Sequence, residues 1–170
     1  SYARVISANG AWLELTEWGK GEPALRLSLH GVSAIELPGI VQRVRRMFDL
    51  DAEPATLHAQ LSADALLSPL IQAQPGLRLP GGWDGFEVAM RAVLGQQVSV
   101  AAATTLARRL MTAHGRPLAT PISEDLHSLF PLPEQLVDID LIGLGLPAKR
   151  AATLNTVARA LAEGRVSFSP

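Results

Sequence analysis

The sequence contains no cysteine and few aromatic residues. The absence of cysteine excludes several kinds of bond and site. Without cysteine among its 170 residues, the chain cannot form a disulfide, a thiolate zinc site or a cysteine nucleophile. The four histidines lie too far apart in the sequence for a local metal motif; they are His30, His58, His114 and His127. We therefore expect no metal and no other cofactor.

Long hydrophobic runs and an excess of positive charge are also missing. The sequence has no run of eighteen apolar residues, and its N-terminus has no basic stretch followed by an apolar block. These absences argue against a membrane span and a signal peptide, and a cytoplasmic location is the expectation that follows. Because the formal net charge is −1, any DNA binding must use a local positive patch.

The first fifty residues predict strands followed by a helix. Tyr2–Ile6 and Ala11–Leu15 have the pattern of two strands joined at Asn9-Gly10, a dipeptide typical of tight hairpins. A second predicted turn, Gly21-Glu22-Pro23, leads into a third strand in which leucines alternate with polar residues, and helical spacing follows. This order predicts a small α+β domain over residues 1–50.

After this domain the chain has no convincing strand pattern and becomes rich in alanine and leucine, so we predict helices. Residues 51–82 are predicted to form a helical connector, and residues 83–170 a helical domain. The main helices predicted in that domain are Trp83–Leu94, Val98–His114 and Pro147–Gly164. The predicted fold class is therefore α+β, with a small antiparallel sheet and helix followed by an all-helical region.

The corner between the first two of these helices is the first candidate for a binding site. Gln96 and Gln97 stand side by side at a helix junction, where apolar or capping residues are more usual. An amide presents a donor and an acceptor together, so it can contact base edges, and Ser99 can cap the following helix. The alternative interpretation is a polar turn with a cap and no ligand.

Two adjacent cations are the second candidate. Lys149 and Arg150 occupy the first turn of the last predicted helix, where the helix dipole makes basic residues mildly unfavourable. A DNA phosphate would offset this charge, whereas the alternative is a pair of solvated surface residues. None of the sixteen carboxylates stands in a recognisable pair, so the residues alone nominate no general acid or base.

Five segments resemble the bacterial inducible 3-methyladenine DNA glycosylases of type II. They are Tyr2-Ala3-Arg4, Met47–Leu50, Pro75–Gly81, Arg91–Ala101 and Gly145–Ala151. The resemblance spans nearly the whole chain. It implies a small mixed sheet-and-helix domain joined to a helical region of the helix-hairpin-helix glycosylase superfamily, and its implied partner is double-stranded DNA that contains alkylated bases.

The same resemblance implies roles for the corner residues. Gln96 and Gln97 would lie where the flipped base leaves the duplex, and one side chain would fill the gap, although the best-known member has an apolar wedge at the position of Gln97. Ser99 and Val100 would flank the same minor-groove surface. The implied reaction is hydrolysis of the N-glycosidic bond of an alkylated purine, assisted by a carboxylate near the sugar.

The family's catalytic aspartate follows a hairpin of the Leu-Pro-Gly-Ile-Gly type, which does not occur after Ala160. We therefore assign no catalytic residue in this chain. Because both ends also look cut, we expect a fragment, inactive by itself, of a longer enzyme that is either free-standing or fused to an alkylation-response regulator. Two alternatives remain open: a non-catalytic helical module that binds DNA or a protein, and a related oxidised-guanine glycosylase.

Overall fold

A computed structural model describes residues 1–19 and 24–168, and its fold class is α+β, as predicted. Three antiparallel strands form the main sheet in the order β1-β2-β3. They are β1 (Tyr2–Val5), β2 (Trp12–Glu17) and β3 (Leu25–His30). Leu13 and Leu15 of the central strand are buried, because alternate residues of a strand point to the same face.

The hairpin between β1 and β2 confirms the turn predicted at Asn9-Gly10. The Ile6 amide donates to the Ala11 carbonyl at 2.9 Å. Gly10 has a φ of +86°, a left-handed conformation that glycine adopts easily. The second predicted turn, Gly21-Glu22-Pro23, lies outside the described residues.

Residues 35–83 form one compact unit with three helices. These are α1 (Leu37–Met47), α2 (Pro54–Leu61) and α3 (Ser68–Ala73), and each has a proline in its first turn, where the missing N–H costs no helical hydrogen bond. Residues 75–82 contain no helix or strand. The Gly81 amide donates to the Met47 carbonyl at 2.8 Å, which ties this segment back to α1.

Residues 1–34 and 84–170 form the other compact unit. Its helices are α4 (Gly85–Leu94), α5 (Val100–His114) and α6 (Ala148–Ala162), with short 3-10 turns at Pro133–Leu136 and Ile142–Leu144. The helix α4 packs against both α5 and α6. The largest fully buried side chains of this core are Met90, Leu94, Leu110, Leu136, Leu141 and Leu154. The three helices confirm the helical spacing read from the sequence.

One expectation about secondary structure is wrong, because strands do occur after residue 51. Two-residue strands β4 (Arg116–Pro117) and β5 (Ser128–Leu129) pair in antiparallel fashion. Two residues are too short to show the alternation that marks a strand in sequence. The pair has a structural role, since Leu118 and Leu129 pack with Val5 of β1 in a small second core.

The two compact units share one boundary with the predicted domains, near residue 83, but have none at residue 50. The sheet groups with the helices after residue 84, and only the boundary near residue 83 falls where the sequence suggested. Because compactness alone does not define a domain, the division into 1–50, 51–82 and 83–170 stays a prediction. In the part of the chain that the structure describes, no helix is long and apolar enough to cross a membrane.

Candidate nucleic-acid interface

A five-residue corner, residues 95–99, joins α4 to α5. The Gly95 amide still donates to the Arg91 carbonyl at 2.9 Å, which ends α4. Ser99 is the N-cap of α5, and its hydroxyl accepts a hydrogen bond from the Ala102 amide at 3.2 Å. The predicted cap is confirmed, and the corner is fixed at both ends by helix-terminating bonds.

The corner exposes the residues that the sequence proposed for DNA contact. Gln96, Gln97, Ser99 and Val100 are all exposed, and Val100 has 84% of its surface accessible. Leu94 is fully buried immediately before them. The fold therefore presents two amides, a hydroxyl and an apolar side chain to the outside from a firmly packed support.

Gln97 has an unusual backbone conformation. Its φ is +55°, in the left-handed region that non-glycine residues seldom occupy. Such a conformation persists only where surrounding contacts hold it, and it occurs often at functional sites. The contacts that hold the peptide between Gln96 and Gln97 are therefore part of the candidate site.

The two predicted cations have different environments. Lys149 is exposed, whereas Arg150 is half-buried, and its Nη2 donates to the Gln96 carbonyl at 2.6 Å. The start of α6 therefore lies against the corner. The charge of Lys149 is exposed, whereas the charge of Arg150 is hydrogen-bonded to the backbone.

Arg109 is a residue of this region that sequence reasoning missed. Its Nη1 donates to the Leu144 carbonyl at 3.1 Å, in the 3-10 turn that leads to α6. Gly145 closes this turn with a φ of +86°, and a Cβ at Gly145 would lie 2.7 Å from Arg109 Nη1. No signal in the sequence links α5 to this turn, because the contact joins two distant segments.

An open pocket of about 190 Å³ lies beside the corner. Its lining is mostly apolar and includes one cationic residue; the lining residues are Arg91, Gly95, Val98, Val100, Ala103, Thr104 and Ala107. The Arg91 Nε donates to Glu87 Oε1 at 2.8 Å. The spacing of four residues on one helix could have suggested this ion pair.

Glu87 is a buried carboxylate with a structural role. It is also paired with Arg4 of β1. Burial alone would raise the pKa of Glu87, but its hydrogen bonds and charge interactions with Arg4 and Arg91 outweigh burial and lower the pKa. Burial alone would lower the pKa of Arg4, but its interactions with Glu87 and Tyr2 outweigh burial and raise the pKa. A carboxylate held ionised between two guanidinium groups cannot donate a proton near neutral pH.

Two further acidic residues near α6 also have structural partners. Asp138 pairs with Arg159, and Asp140 Oδ1 accepts from the Ile142 amide at 2.9 Å. These contacts agree with the sequence interpretation that both residues flank or cap short helices. Over residues 1–19 and 24–168, no group of three or more histidines, cysteines or carboxylates could hold a metal ion.

Comparison with known proteins shows which proteins this chain is similar to in sequence. Residues 1–84 match the sequence profile of the AlkA N-terminal domain. The chain is 38% identical over 153 residues to a probable bifunctional transcriptional activator/DNA repair enzyme AlkA of Mycobacterium tuberculosis, covering 86% of this chain and 31% of that protein. It is 39% identical over 132 residues to DNA-3-methyladenine glycosylase 2 of Escherichia coli, covering 75% and 43%, respectively. The chain thus spans less than half the length of these curated relatives.

Solved structures share the fold at low sequence identity. A 3-methyladenine DNA-glycosylase from Archaeoglobus fulgidus superposes with a TM-score of 0.72 at 18% identity, over 92% of this chain and 54% of that chain. An 8-oxoguanine glycosylase/lyase from Clostridium acetobutylicum, in complex with DNA, gives 0.69 at 16% identity, over 95% and 56%. The chain shares the α+β fold of these two glycosylases. Residues 1–84 belong to the AlkA N-terminal domain family, and the longer sequence matches extend the similarity to AlkA and to DNA-3-methyladenine glycosylase 2 beyond that domain.

Proposed function

We propose that the chain serves the excision of alkylated purines of the 3-methyladenine type from double-stranded DNA, by base flipping and hydrolysis of the N-glycosidic bond. The observation that carries this proposal is the exposed corner between α4 and α5, with Gln97 held in a left-handed conformation in a chain 38–39% identical to AlkA and to DNA-3-methyladenine glycosylase 2. Because those relatives are bacterial DNA enzymes, the cytoplasm is the location that goes with this function.

Each exposed residue of the corner has a task in this proposal. Gln97 enters the duplex and fills the gap that the flipped base leaves, and its amide can bond the orphaned base. Gln96, Ser99 and Val100 contact the minor groove beside it. Lys149 and Arg150 place positive charge next to this edge, for the DNA phosphates. The net charge of −1 is compatible with such binding because Lys149 and Arg150 are adjacent and Arg150 contacts the corner.

The chemistry requires a carboxylate that stabilises the developing positive charge on the sugar. Glu87 is enclosed between two guanidinium groups, and Asp138 and Asp140 hold backbone or side-chain partners. We therefore assign none of these three to catalysis. In our proposal the corner opens the duplex and holds the DNA, and it does not itself break the bond.

DNA binding is the first test of this function. We would measure the dissociation constants for a duplex with a stable abasic-site analogue and for an undamaged duplex of the same sequence. Tighter binding to the abasic duplex is expected, and Gln97→Ala should remove most of that preference. Arg165→Gln is the matched control, because this arginine is exposed and pairs only locally with Glu163. Equal binding to both duplexes by the wild-type chain would contradict the proposal.

Base release is the second test. We would compare release of methylated purines and of 8-oxoguanine from damaged duplexes by this chain and by the whole gene product that contains it. Release of methylated purines by the whole product supports the proposed substrate class. Release of 8-oxoguanine alone would replace it by the oxidised-guanine function, and no release with no DNA binding would leave a protein-binding module.

A further inference from the structure

We propose that Arg150 is a positioning residue, which orients the Gln96–Gln97 peptide and thereby the Gln97 side chain. This inference rests on the proposed function, since it explains how the corner is kept in shape for entering DNA. It assigns Arg150 a task beyond the phosphate contact suggested by its charge.

The first step of the argument is the geometry of the peptide unit. Arg150 Nη2 donates to the Gln96 carbonyl oxygen at 2.6 Å. That oxygen and the backbone nitrogen of Gln97 belong to the same planar peptide group. Rotating the plane changes φ of Gln97, so a bond that fixes the Gln96 oxygen also restricts the backbone angle that aims the Gln97 side chain.

The second step is that this backbone angle needs support. A φ of +55° at Gln97 is disfavoured for a residue with a Cβ. The bonds at Gly95 and Ser99 fix the two ends of the corner but not the peptide between Gln96 and Gln97. A charge-assisted hydrogen bond is a strong restraint for that remaining peptide.

The third step is that Arg150 is itself well anchored. It is half-buried, and the next residues of α6 on the core side, Ala151 and Leu154, are buried. A guanidinium that projects from a packed helix can transmit the rigidity of the core to an exposed corner. Lys149 carries the same charge on the same turn but is exposed, so it offers a matched comparison of charge without this tether.

The experiment separates a positioning role from a simple charge contact. We would measure affinity for the abasic and undamaged duplexes at several salt concentrations, for wild type, R150Q, R150K, K149Q, Q97A and the double variant Q97A/R150Q. Thermal unfolding of each variant reports whether it is folded. The ratio of the two affinities reports wedge positioning, and the salt dependence reports phosphate contacts.

A positioning role predicts that R150Q lowers the preference for the abasic duplex about tenfold, the scale of one charge-assisted hydrogen bond. In the Q97A background R150Q should cause no further loss of preference, because the side chain to be positioned is gone. K149Q should weaken binding to both duplexes equally and reduce the slope of log affinity against log salt by about 0.9.

The Lys variant keeps the proposal testable if R150Q is unfolded. R150K retains the charge without the planar donor group, so the preference should fall while the salt slope stays unchanged. Wild-type preference in R150K, or equal losses for both duplexes in R150Q that also add to those of Q97A, would overturn the positioning role. If wild type itself shows no preference, the proposed function fails, not this inference alone.

Discussion

Glu87 is a carboxylate whose role is decided by residues far away in the sequence. The sequence places it in the first turn of α4, where the helix dipole favours an acid. In the fold it is 6% exposed and lies between Arg91, on its own helix, and Arg4 of β1. The Arg91 partner follows from the spacing along the helix, but the Arg4 partner depends on tertiary packing. Sequence reasoning therefore missed the buried network.

Removing the charge of Glu87 should strongly destabilise the protein. Glu87→Gln leaves the half-buried Arg4 guanidinium and the exposed Arg91 guanidinium without their shared counter-ion, so we expect the free energy of unfolding to fall by roughly 3 kcal/mol. Urea denaturation measures this change. Glu163→Gln is the control, because its pair with Arg165 is about half exposed on both sides and should contribute only about 0–1 kcal/mol. Equal small effects would mean that the Glu87 network does not hold the fold.

Gly145 offers a second test at the level of one residue. Gly145→Ala places a Cβ at a positive φ and within 2.7 Å of Arg109 Nη1. We expect a loss of about 1–2 kcal/mol from the backbone conformation, with an additional loss from displacing Arg109. Gly164→Ala isolates the first contribution, since Gly164 has a φ of +68° and nothing within 4 Å of the added Cβ. Chemical denaturation of both variants should show the larger loss at Gly145.

At the scale of elements, the helices could be predicted well and the contacts between them could not. Apolar spacing identified α4, α5 and α6, and Ser99 was correctly read as a cap. The helix α6 begins at Ala148 with Pro147 as its N-cap, a shift of one residue. The strands β4 and β5 were missed because they are too short to show a period. The bond from Arg150 to the corner joins residues 54 apart, and no local pattern encodes it.

Two substitutions of Ser99, the N-cap of α5, should test its effects on stability and on DNA binding separately. Ser99→Ala removes the hydroxyl that accepts from the Ala102 amide, and we expect a loss of about 1 kcal/mol in stability. Ser99→Asp keeps a cap and suits the helix dipole, so stability should be retained while affinity for DNA falls through repulsion of phosphates. Thermal unfolding and duplex binding measure the two effects. Unchanged DNA affinity in Ser99→Asp would remove Ser99 from the interface.

At the scale of the whole molecule, a net charge of −1 gives no indication of a nucleic-acid partner. The proposed interface is instead local, and it combines a polar corner with the cations at the start of α6. Composition averages over such an arrangement, so it could not predict the site. The amide pair and the family resemblance nominate the corner, which stays a proposed site, whereas the two different environments of Lys149 and Arg150 are visible only in the fold.

Global stability should depend on acid pH through Glu87. Its pKa is lowered in the folded protein from the ordinary value of 4.5, so the unfolded chain binds a proton at a higher pH than the folded chain does. The stabilisation is therefore complete above pH 4.5 and is lost as the pH falls through the folded pKa. Urea denaturation from pH 7 down to pH 3 should show this decline. In Glu87→Gln the decline should be shallower, and an identical slope in both proteins would exclude Glu87 as its source.

The sheet and the late helices belong to one compact unit, although residues 35–83 lie between them in the chain. This arrangement has a consequence for the order of synthesis. When the ribosome has released the three strands, the distant partners of Val5 and Arg4 have not yet been made, because they lie at Leu118, Leu129 and Glu87. The strands therefore expose apolar side chains until these segments are synthesised. A chaperone that binds nascent strands would act during this interval.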